Sequence, residues 1–257
     1  MFAGDQKGAS VRKEVLYGPL AVLLFWYVLY WAGIVNPLFL PPPHTVMAKL
    51  FRMLLTSEVW KDIGSSLWRI VVGFLIAAGL GIPVGLLMGY YRKLNSTFEL
   101  VVDFFRSLPA LAIFPLLMFF FGIGDTAKIA TTVFSCSLII VVNSIYGVTS
   151  SKKTRQVVAF LMDANQREVF WKVILMDALP QIFVGMRTSL SLAVVVVVVT
   201  EMFIGTNWGI GHRIFEAQLT YRVPEMYASI IIAGLLGYAL NKGFIVAEKK
   251  TVHWSGK

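Results

Sequence analysis

The run from Ile182 to Ile204 contains six consecutive valines, Val194–Val199, and carries no charge between Arg187 and Glu201. As a helix rising 1.5 Å per residue, a run of this length crosses the roughly 30 Å hydrocarbon core of a bilayer. Comparable apolar stretches recur at about Leu16–Val35, Leu67–Tyr90, Phe98–Phe121, Ile129–Val148 and Met226–Val246. Apolar residues make up 57% of the chain and charged residues 14%, where a soluble globular domain carries about a quarter charged. A chain in lipid must satisfy its own backbone hydrogen bonds, and runs this long do so as helices. The expected architecture is therefore all-α, a polytopic membrane protein of six transmembrane helices.

The segments divide into a tail (1–15), a transmembrane body (16–247) and a basic tail (248–257). Trp26, Tyr27, Tyr30 and Trp31 crowd the end of the first span, as aromatic residues do at an interface. Pro41-Pro42-Pro43 ends that unit, and Val46–Leu55 reads as a short helix with apolar face Val46, Leu50, Met53 and Leu54, lying along the surface. The glycines of GLGIPVGLLMG suit close helix packing in lipid. Pro109 and Pro115 break the third span, and Gly122–Thr126 forms a tight turn. Gly205–Arg222 is Gly-rich and polar, an irregular loop with Trp208 at the interface.

The longest polar interruption after the first hundred residues is Ser151–Gln181, where apolar residues recur at helical spacing among Lys, Arg, Asp and Gln. It reads as a loop holding a short amphipathic helix. Placing the N-terminus in the cytosol puts 14 basic residues on the cytosolic side and 7 on the other, so both termini and this loop are expected inside.

No G-x-x-x-x-G-K-[ST] phosphate loop occurs, His44, His212 and His253 lack partners at metal-ligand spacing, and Cys136 is the single cysteine. No catalytic residues, metal or cofactor are expected in this chain. Glu99, Asp103 and Arg106 fall at i, i+4 and i+7, on one face of the third span. That face can line a pathway with Arg106 passing an anion, or Asp103 can simply neutralise Arg106. Glu201 is expected to face the bundle interior, holding the following loop; Asp103, Arg106 and Glu201 are the pathway candidates. Arg187 is expected to snorkel toward the cytosolic face.

LPPPHTV, GIPVGLLMG, RSLPALAIFPLLMFFFGIGDTAKI, KVILMDALPQIFVGMRTSL, TEMFIGTNWGIGHRI and IIIAGLLGYALNK together resemble the inner-membrane permeases of bacterial ABC importers, of the nitrate/sulfonate/taurine type. The resemblance runs from about Pro37 to Ala247 and includes the Glu-Met step at Glu201. It implies a cytosolic coupling helix in a motif written Glu-Ala-Ala, three residues, Gly, with a downstream Leu-Pro. Counting back from Leu179-Pro180 places Glu-Ala-Ala at Val157, Val158 and Ala159, and the Gly at Asp163. The Glu and Gly are thus replaced, and Asp can supply turn geometry instead. Phe160, Leu161 and Phe170 become the expected apolar anchors. The resemblance further implies a cytosolic ABC ATPase dimer that binds ATP and Mg, a second permease subunit (identical or, given the irregular motif, different), and an external solute-binding protein. The implied cargo is a small anion such as nitrate, sulfonate, taurine or bicarbonate. A secondary transporter would show mid-span carboxylates and an internal repeat; a non-transporting assembly subunit would tolerate disruption of the loop.

Overall fold

The computed structural model describes the backbone of residues 5–203 and 206–252, and the side chains from Tyr17 onward within them. The helices are α1 (Asp5–Trp31), α2 (Pro43–Leu54), α3 (Ser57–Tyr90), α4 (Arg92–Ser107), α5 (Phe114–Phe121), α6 (Asp125–Thr149), α7 (Lys153–Leu161), α8 (Gln166–Val169), α9 (Leu175–Glu201), α10 (Ile210–Leu219) and α11 (Val223–Thr251). No strand occurs among the described residues.

Helix α6 is central, and one face of α3 lies against it. Gly73, Ala77, Gly81, Gly85 and Gly89 repeat every four residues and so share a face of α3. They meet Thr132, Cys136, Ile140, Ser144 and Val148, which repeat every four on α6. The approach is close enough that a Cβ on Gly85 would lie 2.5 Å from Ser144 Cβ and 2.6 Å from the Val141 carbonyl oxygen. Small residues let backbones approach like this in lipid, where packing rather than water exclusion drives association. The opposite flank of α6 receives α9 in the same manner, with Gly185 under Asn143 and Gly147 against Ala178. Thr131, Thr132 and Ser135 donate to carbonyls one turn back at 2.7, 2.9 and 2.8 Å, so their hydroxyls are satisfied inside the apolar interior.

A second core forms where α2, α10 and α11 meet. Val46, Leu50 and Met53 of α2 are buried against Ile210, Ile214, Ala228 and Ile232. The apolar face expected on α2 is present, but protein covers it. Trp26 of α1 donates to the Pro41 carbonyl at 3.1 Å and packs its ring on Tyr227.

Among the described residues, four segments are each long and apolar enough to cross a membrane, α3, α6, Gln166–Glu201 and α11, and a bent pair brings the number to five, where six were expected. The expected third span is two helices bent by 90°, which qualify only as a pair. Pro109 explains the bend, because the residue before a proline is pushed out of helical geometry, and Leu108 sits at φ −74°, ψ 133°. The described apolar part of α1, Tyr17–Trp31, is shorter than a full span. Helix α3 begins at Ser57 rather than near Leu67, and its 34 residues reach about 51 Å. Arg69 on α3 and Lys128 on α6 are both buried.

Candidate functional site

Two places gather the chemistry, at opposite ends of the bundle. The first is the segment joining α6 to α9. Helix α7 ends in a Schellman turn: the Ala164 N–H donates to the Ala159 carbonyl and the Asp163 N–H to the Phe160 carbonyl, both at 3.1 Å. Such a turn needs left-handed backbone, and Asp163 supplies it at φ 58°. The residue in the expected glycine position thus takes up glycine's conformation. Asn165 then caps α8 through a capping box with Glu168, and Lys172 pairs with Glu168 at 3.0 Å. A π-helical turn, Phe170–Ile174, leads into α9.

Of the expected coupling residues, Val157, Val158, Phe160 and Leu161 are exposed, the last two by 49% and 79%. Met162 extends the same apolar surface. Ala159 instead packs toward Val148, Val169 and Ile174. Phe170 also turns inward, its ring edge-on to Tyr90 with centroids 5.1 Å apart. It lines a recess of about 230 Å³ with Tyr90, Tyr91, Arg167 and Trp171.

At the other end, Glu201 is fully buried at the close of α9. Its carboxylate accepts from Ser66 Oγ at 2.8 and 2.9 Å, from Arg69 at 2.5 Å and from the Gly211 N–H at 3.0 Å. Arg69 also donates to Asp125, the first residue of α6, and to the Trp208 carbonyl, each at 2.9 Å. One guanidinium thereby ties α3 to α6, α9 and the loop after α9. Asp62 accepts from the Gly209 N–H at 2.8 Å, and Ser66 from the Ile210 N–H at 2.9 Å. The glycines are required by this closeness, since a Cβ on Gly211 would come within 1.9 Å of the Val198 carbonyl oxygen. Lys61 stands over the Trp208 ring at 4.9 Å.

A second ionic group abuts the first. Arg213 of α10 donates to Asp62 at 2.6 Å and to Glu225 at 3.1 Å, and Lys49 reaches Glu225 at 3.0 Å. Burial disfavours the Arg213 charge, but the hydrogen bond and charge of Asp62, joined by Glu225, outweigh it and hold its pKa raised. The segment 205–222 read as irregular loop thus contains helix α10 and is bonded down by α3. Gly205 and Ile204 lie outside the described residues, as does His253.

The groups at this end were missed in the sequence except for Glu201. Asp62, Ser66 and Arg69 stand at i, i+4 and i+7, a spacing that marks one polar face at the start of a long helix. The candidates Asp103 and Arg106 lie elsewhere, on the exposed α4, paired at 3.4 Å with both side chains more than half exposed. Arg106 sits in the last turn of α4, just before the 90° bend. Glu201 is not brought together with them. Asp103 and Glu99 border a small recess of about 130 Å³ between α4 and α6.

Residues 81–246 match the family described as the binding-protein-dependent transport system inner membrane component. The chain is 35% identical over 229 residues to a probable ABC transporter permease protein of Brucella melitensis, covering 89% of this chain and 92% of that one. It is 30% identical over 254 residues to the taurine transport system permease protein of Escherichia coli, covering 96% and 92%. A bicarbonate transport system permease protein of Synechocystis is 25% identical over 91% of this chain and 86% of its own. In fold, the chain is similar to an inward-facing structure of a methionine ABC transporter, with a TM-score of 0.60 at 21% identity over 82% of this chain and 98% of that one. A helical bundle with polar locks at one end and a bare apolar turn at the other, matched over most of its length, belongs to the family of inner membrane components of binding-protein-dependent transport systems.

Proposed function

We propose that this chain is the membrane-spanning permease subunit through which a small oxyanion enters the cytosol, driven by an ATPase that docks on α7 and α8. The observation that carries the reading is the apolar face of Val157, Val158, Phe160, Leu161 and Met162, left uncovered on a turn whose backbone is fully specified. Apolar anchors on a short helix are how helices seat in grooves of partner proteins. The basic balance supports a cytosolic position for that end and for both termini, with the far end facing an external binding protein. Two permease subunits would flank the route in the inner membrane. ATP and Mg would be held by the docked ATPases, whose closure would tilt the bundle through α7. The relatives named for taurine and bicarbonate transport support a small anion as cargo.

The test is retention of the ATPase by tagged, detergent-solubilised chain. Changing Phe160 and Leu161 together to Asp is expected to abolish it while the permease still purifies as a folded particle. Undiminished retention would remove α7 as the docking surface. A chain that purifies alone and still moves solute in proteoliposomes would favour a secondary transporter.

A further inference from the structure

Helix α7 has little to sustain it locally. It is nine residues long, and isolated helices shorter than about 12 residues are marginal in water. Its N-cap, Lys152, makes no side-chain cap. Its first turn contains no acid but does contain Lys153 and Arg155, the charge a helix N-terminus disfavours. Helix α8, close by, has a complete capping box. The Schellman turn at Asp163 closes the C-terminal end of α7, and the N-terminal end depends on something outside it.

That something is Asp177, in the first turn of α9. One carboxylate oxygen accepts from Ser151 Oγ at 3.0 Å, and the other pairs with the Arg155 guanidinium. Gln156 donates to Ser151 Oγ at 3.3 Å, extending the group. The Asp177 side chain is only 14% exposed, so its contacts are fixed rather than solvated. The carboxylate thus provides the negative charge that α7 lacks, and does so from the long helix α9, 22 residues further along the chain.

We propose that Asp177 is the positioning residue of the coupling segment: it locks α7 to α9 so that the exposed apolar face keeps a set angle and the two helices turn as one body. This rests on the reading of α7 as the ATPase-docking surface. The residues at the motif's Glu-Ala-Ala positions are apolar and offer no ion pair, so the polar tie between α7 and α9 is made by Arg155 and Asp177, beside the packing of Ala159.

The experiment is a spin-label distance measurement between Thr154 on α7 and Met176 on α9, each changed to Cys in the full chain purified with its ATPase. Both positions are exposed, and the native Cys136 is buried. Wild type is expected to give one narrow distribution. D177N, isosteric but uncharged, is expected to broaden it at least about twofold, as local unlocking requires. Charge reversal of the pair, R155D with D177R, is expected to narrow it again. An unchanged width in D177N overturns the proposal. So does a reversed pair as broad as D177N, because a merely destabilised loop would not be rescued by reversal. If the wild-type chain retains no ATPase, the docking reading fails, and the label widths still decide the lock.

Discussion

The Arg69 guanidinium lies 2.5 Å from the Glu201 carboxylate, joining the first half of α3 to the last residue of α9. Neither side chain is more than 5% exposed, and each has further partners. Breaking one half of a buried, hydrogen-bonded pair leaves a charge without compensation, at a cost of about 3–5 kcal/mol. Arg69→Met and Glu201→Gln should therefore each lower the apparent Tm of the purified protein sharply. The double variant should fall short of their sum by at least about 1 kcal/mol, because the residues share one interaction. Additive losses in a double-mutant cycle would show that the pair is not coupled.

The α3–α6 contact makes a contrast between two glycines of the same helix. Gly85→Ala forces a methyl group against the Val141 carbonyl oxygen and Ser144, neither of which can rotate away, and should separate the helices. Gly79→Ala meets nothing within 4 Å and should be neutral, or stabilising by roughly 0.5–1 kcal/mol from helix propensity. Thermal stability in detergent, read by fluorescence-detected size exclusion, separates the two. Equal Tm values would mean that the helices do not approach this closely.

Asp163 carries the cost of left-handed backbone for a residue with a Cβ. Asp163→Gly should relieve it and stabilise the turn by about 1 kcal/mol, whereas a β-branched Asp163→Val should cost more than that. Amide exchange across residues 154–164 should slow in the first and quicken in the second. Faster exchange in the glycine variant would place the side chain, not the backbone, in charge of the turn. The same reasoning applies to Tyr221, at φ 54° in the corresponding turn that ends α10.

Arg106 and Asp103 are half-exposed and i, i+3 apart, a pair worth under about 1 kcal/mol. Arg106→Ala should leave assembly and Tm unchanged. On the pathway reading it should slow anion uptake several-fold in whole cells. Uptake at the wild-type rate would take Arg106 off the route.

The apolar runs were sufficient to identify a helical membrane protein, because bilayer thickness and backbone hydrogen bonding leave few alternatives for runs of that length, and the quoted motifs added the resemblance to permeases. The motif count also singled out Asp163, the residue at which the turn after α7 takes left-handed backbone. It did not carry the burial of Arg69 or the bonding of the 205–222 segment to α3. Arg69 stands near the start of an apolar run, and only the packed structure shows that α3 starts at Ser57 and that Arg69 meets Glu201, 132 residues later. Likewise Arg106 was expected on one face of a third span broken at Pro109, and the size of that break, 90°, leaves it exposed in the last turn of α4. Local sequence dictates which segments enter lipid, since that cost is paid residue by residue. Which buried charges meet is decided only when helices distant in the chain pack together, since each ion's partner lies on another helix.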